Sequence, residues 1–366
     1  KRLPIMITQM SGEMFEPKRW GGSIREFPNF DLYPWLEPYK NKNYYASVSV
    51  SWDTLGDLPT GYDAYIFIHH VELCDHHWLR AQQKRINAPF YVLMSGSMYN
   101  FHIPNTTFIP FTHWHIDLQK IIDWWGLQKT TASKKYKFST VCNRITQSKV
   151  WITAKILEVA KDQSYIINNP NWIEDKNVHG WDHCNNPTLD DLTDTYLDKY
   201  IHLNLSDNFE KTKNFQRANS NPWQPMYTET AMHFTNGSHH YSFMMDDMIP
   251  YNSPGPHIDE KTFKCLIAGT PFIPTAQFEI FKSLSDFGLK FDYNFDTSWD
   301  NDPGNMSRFV SIVKLIDELN QYDTQELYNM CKDVASANQQ YIVDKHFWNN
   351  CETHNEQCIA QLEQLL

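Results

Sequence analysis

Three groups of residues in this sequence have types and spacings that chemistry can use. The run HHVELCDHH places His69, His70, Glu72, Asp75, His76 and His77 close together. It follows the apolar run 65–68, which reads as a buried strand. The group therefore falls at or just beyond that strand's C-terminal edge, where open α/β sheets bind ligands. A carboxylate or imidazole there can take the proton of a hydroxyl. Glu72 is the first candidate for such a base and His70 the second; the plain alternative for each is a solvated cap of the following helix. The same residue types also ligate zinc or iron. Neighbouring imidazoles on one chain diverge, however, and no H-E-x-x-H spacing occurs, so a metal hydrolase is the minor reading and no metal is expected.

A second group, FTHWH, carries His113 and His115, which are expected to line a pocket for an acceptor. The third is HIDEKTFKCLIAGTPFIP. Asp259 is placed to cap a helix opening at Glu260, with Phe263, Leu266 and Ile267 as its buried stripe and Gly269 as its stop. A long loop, 237–257, with Pro250, Pro254, Gly255 and Pro256, leads into it, and loops of that length usually carry function. A helix N-terminus attracts phosphate through its free N–H groups and its dipole. Glu260, an anion at that end, suits a ribose diol better than a phosphate, whereas Lys261 suits a diphosphate. On spacing alone, a solvated first turn with Glu well placed on the dipole is the stronger reading.

The elements that must position these groups alternate. Apolar runs at 45–50, 65–68, 90–94 and 136–141 read as strands, and 74–85 and 118–125 as helices. This is the pattern of parallel βαβ packing. An amphipathic helix follows from Ile145. The stretch 163–223 is polar and reads as loops with short helices, and 226–236 as a strand and a turn. A short strand at 271–274, a helix at 277–287 closed by Gly288 and a mostly helical tail from Met306 complete the chain.

Bulk properties bound the function. A chain of 366 residues exceeds one ordinary core and accommodates two domains. With 41% hydrophobic and 20% charged residues it is a globular composition. The formal net charge of −11 makes a nucleic-acid partner the least attractive class. No run of ~18 apolar residues spans a membrane, and the start KRLPIMITQM lacks a signal-like apolar stretch. Seven scattered cysteines without C-x-x-C fit reduced thiols, so a cytoplasmic location is expected.

The segment from His257 to Pro274 resembles the Glu-Lys donor signature of fucosyltransferases and related GT-B glycosyltransferases. The continuation EKTFKCLIAGTPFIPTAQFEIFKSLSDFGLKF to FDTSWDNDPGNMSRFVSIVKLIDEL is similar to bacterial and viral glycosyltransferase-like proteins. FSTVCNRITQSKVWITAKIL resembles the segment in which a strand ends in an Asn turn and an Arg enters the next helix. The family pattern differs at Asp259, where Thr is usual, and at Arg144, which here directly follows Asn143. The resemblance implies an α/β fold of two Rossmann-like domains facing a cleft (GT-B-like). It implies an acceptor domain over 1–135, a donor domain over 136–340 and a helix over 341–366 packing back on the first. It also implies transfer of a sugar from a nucleoside-diphosphate sugar to a glycan or other hydroxyl acceptor, inverting and without a cofactor. The donor set would be Arg144, Asn143, Glu260, Lys261, Lys264 and Tyr241. A non-catalytic nucleotide-sugar or glycan-binding module on the same fold is the alternative.

Overall fold

The structure is a computed structural model and describes residues 20–28, 30–31, 33–51, 56–73, 76–94, 103–127, 130–142, 147–168, 223–235, 258, 260–275, 278–302 and 305–366. It is a mixed α/β chain with one largely parallel and one all-parallel sheet, divided into two compact units: residues 1–94 with 103–108, and residues 95–102 with 109–366.

The first unit is built on a five-stranded sheet in the order β1 (Trp20–Ser23), β2 (Tyr44–Ser51), β3 (Ala64–Leu73), β4 (Phe90–Met94) and β5 (Thr106–Ile109). β1 runs antiparallel to β2, while β2, β3 and β4 are parallel. The inner strands are apolar on both faces, as a covered parallel sheet requires. Tyr65, Phe67 and Phe90 form one ring cluster, with Tyr65 and Phe90 centroids 5.0 Å apart. The helix α1 (His76–Arg85) sets Trp78 edge-on to Phe67 at 6.3 Å. β3 is longer than its apolar run. It continues beside β2 through a register shift, so that His69 pairs with Ser49 and Leu73 with Ser51.

The second unit carries a four-stranded, all-parallel sheet, ordered β7 (Ser164–Asn168), β6 (Tyr136–Cys142), β8 (Thr230–Thr235) and β9 (Phe272–Pro274). From β6 the chain steps outward to β7, then returns to the other side of β6 for β8 and β9. The helices are α2 (Trp114–Trp125), α3 (Gln147–Ala160), α4 (Trp223–Thr228), α5 (Glu260–Ala268), α6 (Ile280–Asp286), α7 (Asn305–Leu319), α8 (Thr324–Val343) and α9 (His346–Leu365). Phe263, Leu266 and Ile267 of α5 are buried as expected, and so are Thr262, Lys264, Cys265 and Ala268, so the helix is enclosed on all sides beyond its first turn. Gly269 and Gly288 follow α5 and α6 with φ of 63° and 95°. A Cβ on Gly288 would lie 2.1 Å from the Tyr341 hydroxyl, so the site needs glycine for space as well as for φ.

Several expectations differ from this architecture. Short strands β1 and β5 were not expected, and β7 falls inside the stretch 163–223 read as loop. The stretch 226–236 opens with the end of α4 before its strand; the tail from residue 306 is mostly helical, as expected, in the three pieces α7, α8 and α9. The first unit ends earlier than the expected domain over 1–135. The apolar stripe of α2, Trp114, Leu118, Ile121 and Trp125, joins the core of the second unit: Trp114 packs on Phe287 at 5.0 Å and Trp125 on Tyr227 at 5.4 Å. The last helix lies against α8, α2 and residues 110–112; α2 and 110–112 fall within the stretch 1–135 on which it is expected to pack, and both belong to the second unit. Its Asn355 takes both backbone groups of Thr112: the Thr112 N–H donates to Oδ1 at 2.9 Å and Nδ2 donates to the Thr112 carbonyl at 2.8 Å.

Candidate functional site

The strand order of the second sheet reverses between β6 and β8. In open parallel sheets a crevice forms outside the carboxyl ends of the two strands at such a point, because the connections on either side leave in opposite directions. β6 ends at Cys142 and β8 at Thr235. Asn143 and Arg144 follow the first of these in sequence, and the stretch 236–257 with Tyr241 follows the second. Their side chains lie outside the described residues.

Two helices begin at this edge. α3 connects β6 to the parallel β7, and α5 connects β8 to the parallel β9, so each must run back across the sheet with its first turn at the carboxyl edge. The far end of α5 agrees. Just beyond it, the Thr270 hydroxyl donates to the Tyr227 carbonyl, which precedes β8 at the opposite edge of the sheet, and Pro271 accepts from the His233 N–H at 3.0 Å as β9 begins. α5 is anchored by Phe263, which meets Phe347 of α9 with ring centroids 6.4 Å apart. From α8, Gln339 Nε2 donates to the Ile267 carbonyl at 2.6 Å, close to the helix end.

Glu260 is the first residue of α5; its side chain lies outside the described residues. Lys261 is half-buried, and Lys264, one turn on, is buried at 7% exposure. Lys264 is therefore as much a core-facing as a ligand-facing residue of its helix.

A third helix start near this edge is already filled. α6 begins a few residues beyond β9, and its N–H groups at Ile280, Phe281 and Lys282 all donate to the Asp300 carboxylate, at 3.0, 2.9 and 3.2 Å. Burial pushes the Asp300 carboxyl up to about 6, against those three bonds and the nearby Arg308 guanidinium, which favour the anion. Arg308 is fully buried in α7, and its Nη1 donates to the Asp302 carbonyl at 2.9 Å. The Ser298-Trp299-Asp300 segment and the Arg that leads α7, part of the family resemblance, thus form an internal cap. Sequence reasoning missed this role because the cap comes from 20 positions downstream instead of the residue before the helix.

The remaining expected site residues are placed as follows. His69, His70 and Glu72 belong to β3 itself and not to a turn beyond it, because β2 continues to pair with the strand as far as Leu73. The side chains of His70 and Glu72 lie outside the described residues. His113 and His115 are buried, at 1% and 8% exposure, in the packing of α2 and the segment before it. The His113 ring stands edge-on to Phe111 at 5.0 Å. Burial pulls the His115 imidazole down to about 4, which keeps it neutral. These are the surroundings of packed side chains rather than of an open acceptor pocket, and the FTHWH spacing carries no signal that separates the two.

A buried Ser–His contact occurs on the second sheet, where the Ser139 hydroxyl lies 2.8 Å from His233 Nδ1. The same hydroxyl lies 3.1 Å from the Met226 carbonyl, so both of its partners are buried within the second unit. Among the described residues no group of three or more His, Cys, Asp or Glu side chains is arranged to hold a metal ion, and no helix is long and apolar enough to cross a membrane. Compared with known proteins, the chain matches no family model, no curated protein and no solved structure.

Proposed function

We propose that this protein is a glycosyltransferase that moves a sugar from a nucleoside-diphosphate sugar to a hydroxyl acceptor, with the donor held by the second unit. The observation that carries the reading is the reversal of strand order between β6 and β8, with α5 opening on Glu260 and Lys261 at the carboxyl edge of the same sheet. Two helix N-termini begin there and a third, that of α6, is closed by Asp300. A diphosphate is therefore directed to the α3 and α5 ends. In this reading Lys261 and Arg144 balance the diphosphate charge, Glu260 accepts hydrogen bonds from the ribose hydroxyls, and Asn143 and Tyr241 complete the contact. The leaving diphosphate is stabilised by these cations and by the helix dipole, which supply the charge that a metal ion supplies elsewhere. Glu72 is the proposed base for the acceptor hydroxyl and His70 the alternative, the reaction proceeding with inversion.

The test is thermal unfolding with GDP, UDP, ADP and TDP, since a ligand that binds only the folded state raises its stability by mass action. One nucleotide is expected to raise the Tm of the wild type and to do so much less for Glu260→Ala, which loses a charged acceptor for the ribose of ~1.5–3 kcal/mol. No shift with any of the four would defeat the proposal. A shift without sugar transfer to any acceptor would make the protein a nucleotide-sugar-binding module.

A further inference from the structure

We draw no further inference here: the strongest candidate, the buried side-chain cluster in which Asp300 and Arg308 meet the N-terminus of α6, carries nothing, because that helix is seven residues long and its leading N–H groups are already taken by the Asp300 carboxylate.

Discussion

Asp300→Ala tests whether the end of α6 is held from a distance. The substitution removes an acceptor of three backbone N–H bonds and leaves the fully buried Arg308 without the nearby carboxylate. An orphaned buried N–H costs ~1–3 kcal/mol. The freed N–H groups stand at a helix start that water can reach once the side chain is gone, and Arg308 keeps its bond to the Asp302 carbonyl. The expected loss is therefore ~1–3 kcal/mol, a sizeable part of the ~5–15 kcal/mol that holds a typical domain together. Urea unfolding followed by tryptophan fluorescence reports on it directly, because Trp299 packs on Phe281 of α6 at 5.6 Å. Asp300→Asn keeps the shape and one acceptor oxygen and should cost less. It should also remove a pH dependence. With a folded value near 6 against 3.8 for the free group, the folded state holds the extra proton, so this group adds stability as pH falls from about 6 to about 4. The gain reaches ~3 kcal/mol at ~1.4 kcal/mol per unit and is lost again as pH rises through 6. A loss below ~1 kcal/mol for Asp300→Ala would refute the capping account.

His115 should act in the opposite direction over nearly the same range: its folded value near 4 lies below the free value of 6.5, so the unfolded chain takes up the proton first. Stability should fall by up to ~3 kcal/mol between pH 6.5 and 4, and His115→Phe should flatten that limb of the unfolding profile; an unchanged slope would mean that the imidazole is not buried in solution. Gly288→Ala should destabilise by more than the ~1 kcal/mol of an ordinary glycine exchange, since the new Cβ meets the Tyr341 hydroxyl, and Gly288→Ala combined with Tyr341→Phe should recover part of the loss in Tm. For the proposed reaction, Glu72→Gln should lower kcat by ~10²–10⁴ with nucleotide affinity nearly unchanged. Near-normal turnover would pass the role to His70, and an equal loss of nucleotide binding would make Glu72 a structural residue.

What could be read from the sequence was whatever depends on neighbours along the chain. The stripe of Phe263, Leu266 and Ile267 announced α5, and the apolar runs announced β2, β3, β4 and β6, because burial on one face or two imposes a period that any window of residues displays. Gly269 and Gly288 announced helix ends for the same local reason. The strands β1, β5 and β7 gave no such signal, since four or five residues are too few to display a period, and each is held by pairing with a neighbouring strand.

The candidate site divides in the same way. That a Glu-Lys pair opens a helix is a local property of residues 259–269. That this helix starts beside a reversal of strand order follows from the sequence β7-β6-β8-β9 across the sheet, which no spacing encodes. Tertiary packing alone decided that His113 and His115 are enclosed, that Asp300 caps a helix twenty residues before it, and that α2 belongs with the second unit. Periodicity and capping arise from contacts a few residues apart, which a sequence displays directly. Strand order and the burial of a polar side chain are settled by which distant segments together cover the most apolar surface while leaving the fewest polar groups unpaired.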